Sequence, residues 1–434
     1  MKTTKIFLLA LMALSSQVVL SQTKKVLSLK EAIALVLTNS HEALLANTKI
    51  KTAALELETL KNNQYPNLKA SGQYLRLSNA NVKSNFGGGN GMDVSQLMLG
   101  QINASMPVFS GFKLKNSIQA SENMVKSQTA SSAHTKEQLA LDVVELFATL
   151  YKSQEMIELF TENLKSAQQR TKDFSAMVDN GLMARNDLLK AQLQESNVQL
   201  SLDNALKNTS IINYQLVTLL QLPENTTIEI DINAVKKDMA ANQLQKNEGT
   251  RQDVEALQYQ KQASDIGIKI ARAGYFPSFA LTGGYIALDL KNTLTVTNAM
   301  NFGVGLNYDF TSLLKNKKEV ALAKSKAEQT TQALAILSDK IKEESQQAEE
   351  DYAFSLKQNK VYALAATQAE ENYRIVKDKY DNNLATTNDL LEADVQQLQS
   401  KINLALSQAD IALKYYNLQF ASGKLINSFN LSTK

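Results

Sequence analysis

Two long stretches of this chain contain almost nothing that can break a helix. Between Gly111 and Pro223 there is no proline and one glycine, Gly181; between Gly305 and Gly423 there is neither. Both stretches are rich in Ala, Leu, Gln, Lys and Glu, the strong helix formers. A helix of about 65 residues is about 100 Å long. Lengths of that order predict a coiled coil or a helical barrel rather than a globular bundle. The whole 434-residue chain carries only four prolines and 16 glycines, which argues against all-β sandwiches and collagen-like folds.

Hydrophobic periodicity agrees. Leu139, Val143, Leu146, Leu150, Ile157, Phe160 and Leu164 recur at heptad spacing. So do Leu384, Leu391, Val395, Leu398, Ile402, Ala405, Ala409, Ala412 and Tyr416. Seams of this period are what supercoiled helices require. Small Ala and Ser residues on them let neighbouring helices approach closely.

Composition narrows the function classes. The absence of cysteine excludes disulfides, zinc–thiolate sites and thiol catalysis. The formal net charge is +3 with no Lys/Arg block, so nucleic acid is not an expected partner. Residues 1–21 read as an export signal: Lys2 and Lys5, an apolar run from Ile6 to Leu14, and a small residue, Ser21, at the end. No later apolar run reaches the length of a membrane-crossing helix. An exported chain of this kind is periplasmic, secreted, or a component of an outer-membrane β-barrel.

The chain is internally duplicated. Residues 179–191, from Asp179-Asn180-Gly181 to Lys190-Ala191, recur about 200 residues later as 381–393, from Asp381-Asn382-Asn383 to Glu392-Ala393, with roughly half the positions identical. Tyr65-Pro66 and Phe276-Pro277 match at a similar offset. Asn180-Gly181 and Asn382-Asn383 suit a left-handed turn at the end of one long helix. Asn186-Asp187 and Asn388-Asp389 then suit the start of the next, with an acid near its positive end. Each copy therefore holds a helical hairpin with a tight turn at its tip.

The other end of each copy reads as β-structure. Phe302, Val304, Leu306, Tyr308 and Phe310 alternate with polar or glycine residues over about ten positions, the length of a membrane-crossing strand. Weaker alternation marks Ile102 to Val108, Phe279 to Ala287 and Leu68 to Tyr74, with Gly/Asn-rich linkers expected at 79–91 and 291–299. Four strands cannot close a barrel, and open edges are not tolerated in lipid. If they span a membrane, several copies must pool them, and three copies give twelve.

Taken together, these features resemble the TolC-like outer-membrane efflux proteins over essentially the whole mature length. The resemblance is carried by the duplication, the Tyr-Pro and Phe-Pro strand starts, the Met106-Pro107-Val108-Phe109-Ser110-Gly111 strand end, and the two tip segments. It implies a mainly α chain with a transmembrane β part. The duplicated helix-hairpin unit would contribute four strands to a trimeric 12-stranded β-barrel, continued by a long periplasmic α-helical barrel. Expected divisions are a signal peptide at 1–21, a first repeat at 22–222 with its hairpin at about 66–110, and a linker at 223–250. A second repeat at 251–423, with its hairpin at about 277–311, and a tail at 424–434 complete the chain. The implied role is a passive export duct of a tripartite efflux or type I secretion system in the outer membrane, gated at its periplasmic tip. Implied partners are two further copies, a periplasmic adaptor (membrane fusion protein), an inner-membrane pump and outer-membrane lipid. The alternative is an exported coiled-coil adaptor or scaffold without a pore.

Asp389 and Glu392, three apart on one helix face, would form rings of carboxylates at the entrance of a trimer and favour cations; they match the family's acidic selectivity ring. The resemblance also places Tyr380 and Asp187 as a gate lock, with Ala385 where the family has an arginine. Nothing in the sequence suggests an enzyme or a cofactor: there is no phosphate loop and no nucleophile elbow. His41 and His134 stand apart with no metal-site pattern. Gly87-Gly88-Gly89 reads as an extracellular hairpin turn.

Overall fold

A computed structural model of the chain describes residues 23–82, 92–241, 251–291 and 293–431. The expected export signal and the Gly87-Gly88-Gly89 turn lie outside the described residues. The elements in chain order are β1 (Thr23–Leu27), α1 (Leu29–Asn39), α2 (His41–Lys61), β2 (Asn67–Val82) and β3 (Met92–Ser110). Then come α3 (Lys113–Asp179), α4 (Arg185–Leu219), β4 (Thr226–Ile230), α5 (Ile232–Ala241) and α6 (Gln252–Arg272). The chain ends with β5 (Ser278–Leu290), β6 (Leu294–Asn307), α7 (Ser312–Asp381), α8 (Thr387–Ala421) and α9 (Leu425–Ser428). The breaker-free stretches thus form helices of 67 and 70 residues, each followed by one of 35. The contacts divide the chain into two compact units.

The first unit holds residues up to Ala46, Ala133–Arg251 and Lys340 onward. Its core forms around α1, which Ser28 and Glu31 start with a capping box. Leu29, Ile33 and Val36 fall on one face of that helix and are fully buried. They join Leu139, Val143 and Leu150 of α3, Leu216 and Leu220 around the end of α4, and Ile228 of β4. Each such side chain contributes about 2 kcal/mol on burial. The strand β4 pairs in parallel with β1, from Thr23 opposite Thr226 to Leu27 opposite Ile230. Asn213 of α4 pins it, donating to Thr226 O and accepting from the Ile228 N–H, both at 2.8 Å.

All four long-helix C-termini close in the same way. The residues Gly181, Gln221, Asn383 and Gly423 take the left-handed conformation. Around each, the next residue's N–H reaches back five positions: Leu182 to Met177, Leu222 to Val217, Leu384 to Lys379 and Lys424 to Gln419. The first heptad seam of the sequence is buried or half-buried throughout. The second is not. Leu384 precedes α8 and is exposed, and Val395 is exposed as well, while Leu390, Ala393 and Asp394 are buried instead. The Asn383 turn takes Leu384 out of the helix, so the seam restarts one position earlier.

The second unit holds Asn47–Ser132 and Gln252–Asp339. Its centre is an antiparallel sheet in the order β2-β3-β5-β6. Register puts apolar residues of all four strands on one face. Across that face run Leu68–Ala104–Gly283–Phe302 and Ala70–Ile102–Tyr285–Met300. The other face is polar at one end, as in Asn67–Ser105–Thr282–Gly303, and carries Leu75–Leu97–Leu290 and Gln73–Leu99–Leu288 toward the other. Leu68, Ile102, Leu281, Phe302 and Val304 are all exposed, Phe302 at 88%. Among the described residues no helix is long and apolar enough to cross a membrane.

Four details differ from the sequence reading. Strand β6 begins at Leu294, because the run Leu294 to Thr297 is strand-favouring and pairs Leu294 with Leu290; 291–299 is therefore not a linker. It ends at Asn307, since Asp309 accepts the Thr311 N–H at 2.9 Å and turns the chain into α7. Tyr308 and Phe310 lie beyond the strand with their rings edge to face, 4.9 Å apart. At the other hairpin, residues 79–82 are still strand, and Pro107 sits inside β3 at a bulge rather than at its end. Gly111 makes the actual turn into α3. Its φ is +63, and a Cβ there would stand 2.6 Å from Ala273 O.

Glu137 of α3 sits in the first unit at 4% exposure and accepts the Ile426 N–H at 3.1 Å, tying down the C-terminal turn. Burial pushes its carboxyl up to about 7, while the N–H groups of Ile426 and Leu425 pull it back only in part. A raised folded value means this stabilisation is complete below the ordinary glutamate range and lost as pH rises through about 7, worth about 3 kcal/mol. Glu137→Gln should therefore flatten the fall in melting temperature between pH 5 and pH 8. A variant whose melting temperature falls as steeply as the parent's would show that Glu137 does not titrate there.

Candidate functional site at the hairpin tips

The two tip turns, Asp179 to Arg185 and Asp381 to Thr387, are built alike on their exit side. The Asn180 side chain donates to Ala176 O and that of Asn382 to Asp378 O, each at 2.7 Å. Gly181 and Asn383 then take the left-handed residue of the cap. The four tip-turn residues expected from sequence lie in these two turns.

The start of the next helix differs between copies. Thr386 caps α8: its N–H and hydroxyl both donate to Asp389 Oδ2 at 2.8 Å, and its Oγ1 accepts the Asp389 N–H at 3.3 Å. Those two bonds hold the Asp389 carboxyl below the usual range, so it stays ionised at lower pH than an ordinary aspartate. In the other copy Ala184 occupies the cap position and offers no side-chain bond. Asp187, at the matching place, instead accepts Lys190 Nζ at 3.2 Å. Glu392 is exposed one turn after Asp389 and accepts the Gln396 side chain at 3.3 Å.

Tyr380 takes part in the apolar cluster at the tip. Its ring lies 6.0 Å from that of Phe174, beside buried Ala191 and Leu390. The cluster draws on all four long helices. Tyr380 and Asp187 are not bonded to each other in this conformation, because the tyrosine packs on Phe174 and the aspartate holds Lys190.

One turn deeper lies a group that the sequence reading missed. Arg170 Nη1 of α3 donates to Asp394 Oδ2 of α8 at 3.0 Å, with the two side chains only 9% and 4% exposed. Burial opposes the arginine's charge, but the Asp394 hydrogen bond and charge, with a further bond to Tyr373 of α7, raise its value overall. The three groups link the first repeat to both long helices of the second. Arg170 follows the buried Phe160, Leu164 and Ala167 and precedes Phe174. A charge inside such a run was the signal available from sequence. Farther along the helices, Lys152 of α3 pairs with Asp410 and Lys414 of α8 with Asp351. The described residues hold no cluster of His, Asp or Glu able to bind a metal.

The comparisons with known proteins bear on this geometry. Residues 32–221 match the family model described as outer membrane efflux protein. Among curated proteins, the outer membrane efflux protein BepC of Brucella suis is 22% identical over 338 residues, spanning 75% of this chain and 72% of that one. The fold matches the Campylobacter jejuni CmeC outer membrane channel with a TM-score of 0.77 at 17% identity, covering 92% of this chain and 86% of that one. It matches VceC, an outer membrane protein of Vibrio cholerae, with a TM-score of 0.76 at 15% identity, covering 91% and 96%. The chain is thus similar to the outer membrane efflux proteins, in its family match over residues 32–221 and in its fold. At the tips of this chain the Thr386–Asp389 cap, the Lys190–Asp187 pair and the buried Arg170–Asp394 pair define the geometry.

Breaking a buried ion pair by removing one partner is costly, about 3–5 kcal/mol, because the other charge is stranded; replacing both is far milder. Arg170→Met or Asp394→Leu alone should lower the melting temperature markedly. The Arg170→Met/Asp394→Leu double variant should recover most of the loss. Additive losses in the double variant would mean the two side chains are not coupled.

Proposed function

We propose that this chain is one part of a passive outer-membrane export duct, closed by three copies and gated at the hairpin tips. The observation that carries the reading is the sheet of the second unit. It exposes an apolar face across four strands and leaves β2 and β6 as free edges. In hydrocarbon every backbone N–H and C=O needs a partner, so such a sheet must be closed. Four strands are too few for one chain to close alone; three copies supply twelve. Family members are trimeric channels that work with an adaptor and an inner-membrane pump. An adaptor-like scaffold without a pore would have no use for an apolar face on an open-edged sheet. In native mass spectrometry after detergent extraction of outer membranes, the protein should appear as a trimer. A monomer in the soluble periplasmic fraction would remove the duct from consideration.

The entrance is assigned to the second-copy tip, where Asp389 and Glu392 from three chains would ring the opening and concentrate cations. Tyr380 and Asp187 are assigned to holding it shut, the carboxylate becoming available to the phenol when Lys190 lets go. The bonds from Thr386 that keep Asp389 ionised imply that cation preference persists as pH falls to about 4, where ordinary carboxylates protonate. In planar bilayers, Asp389→Asn with Glu392→Gln should lower cation preference and weaken block by multivalent cations. Selectivity unchanged by the pair of substitutions would take the ring out of the account.

A further inference from the structure

The junctions where helices meet the sheet carry an unusual set of charges. Lys113 and Lys115 open α3, Lys315, Lys317 and Lys318 lie in the opening turns of α7, and Lys269 and Arg272 end α6; all are exposed. Among the described residues none of these seven has an acidic partner within ion-pair distance. Of the nearby acids, Asp309 holds the Thr311 N–H and Glu122 pairs with Lys61 at 3.5 Å, while the exposed Glu319 follows Lys318 without reaching ion-pair distance of it.

Helix electrostatics make the placement costly. A helix start is positive, and cations there are unfavourable. The helices α1, α2, α4, α6 and α8 follow the rule with Glu31, Glu42, Asp187, Asp253 and Asp389 in their first turns. The helices α3 and α7, the two that leave the sheet, have no acid there, and neither do the short α5 and α9. At α7 the first N–H groups already donate to Asp309, Phe310 and Thr311 carbonyls, so an anion there would meet the lysines, and at α3 it would meet Lys113 and Lys115 at the positive helix start.

Aromatic rings mark the same level. Phe279 lies on the apolar face of the sheet, Phe109 is 6.2 Å from it, and Phe112 packs edge-on to Phe109 at 5.2 Å. Phe112, Phe276 and Phe310 are exposed. Rings in this setting sit where hydrocarbon gives way to headgroups. Beside Phe109 and Phe112 runs a groove of about 350 Å³, its walls Pro107, Leu114 and Ile118 with Gln64, Ser110 and Lys115 among them. Partly apolar walls beside a lone cation suit a molecule that is part acyl chain and part anion.

We propose that the sheet–helix junction is a docking collar for anionic phospholipid headgroups in the leaflet next to the helices. The proposal rests on the reading of the sheet as membrane-spanning. Unpaired cations, the start of α3, interfacial rings and a partly apolar groove with a lysine all favour the same occupant, and a single lysine near an anionic surface is worth about a fivefold change in binding.

The test uses the full chain in nanodiscs of phosphatidylcholine with a minority of phosphatidylglycerol, stripped stepwise in detergent, with retained lipid counted by native mass spectrometry. Phosphatidylglycerol should be enriched over its input share by at least about fivefold, and high salt should abolish the enrichment. Replacing Lys113, Lys115, Lys315, Lys317 and Lys318 by Gln should return the ratio to input, while the same five changed to Arg keep it. Changing Lys165, Lys172, Lys207, Lys360 and Lys379 to Gln should leave it intact. Should the five-Gln variant misfold, Lys113→Gln/Lys115→Gln alone should still cut the enrichment. Input-ratio lipid on the parent, or enrichment that survives the Gln variants, overturns the proposal. A Gln variant that loses its trimer but keeps the lipid assigns the cations to contacts between copies and overturns it too. Failure of the parent to enter nanodiscs at all would instead overturn the membrane reading.

Discussion

A backbone amide in hydrocarbon has no water to bond, and this single constraint shapes the chain at the β end. The sheet of four strands has satisfied ladders inside and two unsatisfied edges, β2 and β6. Its apolar face is continuous because the pairing register carries alternate residues of every strand to the same side. On the proposed reading closure comes from other copies, which makes the oligomer part of the fold rather than an addition to it. The helical part follows from the same demand. The duplicated chain places a strand pair and a long helical hairpin in each half, and each half leaves partners to be found elsewhere.

The helices need a different kind of control, since nothing in their long interiors stops them. Length is set by termination. Four positions, Gly181, Gln221, Asn383 and Gly423, turn left-handed and return the next N–H to the last turn. Glycine or asparagine at three of them made the ends readable from sequence. Gln221 was not readable this way, although Pro223 two residues on marked the same boundary.

What could be read followed from local physics. Breaker-free runs, tip turns and strand starts just after Pro66 and Pro277 depend on residues close in sequence. What escaped depends on partners far along the chain. The restart of the second seam at Leu390 arises because the Asn383 turn ejects Leu384 from the helix. The start of β6 at Leu294 arises from pairing with Leu290 across a tight turn. Arg170 and Asp394 are 224 residues apart, and each alone resembles an ordinary surface charge. Only their burial in the same layer, one turn below Phe174 and Leu390, turns them into a link between the repeats.

The tip shows how one substitution between copies redistributes charge. Asp187 and Asp389 occupy the same place in two otherwise matched helix starts. Where the cap residue is Thr386, the aspartate closes a capping box and is held ionised by the helix's own first turn. Where it is Ala184, the box cannot form, and the aspartate turns to Lys190. At the position of Lys190 the second copy has Glu392. One tip is thereby internally neutralised and the other strongly acidic, although both descend from a single repeated segment. Three copies of such a pair would give a ring in which acidic and neutral tips alternate. The acidic ones are those whose aspartate is held by the cap and leaves its neighbour Glu392 without a cation from its own helix. A single hydroxyl thus decides whether the aspartate at this place serves the helix start or an ion pair.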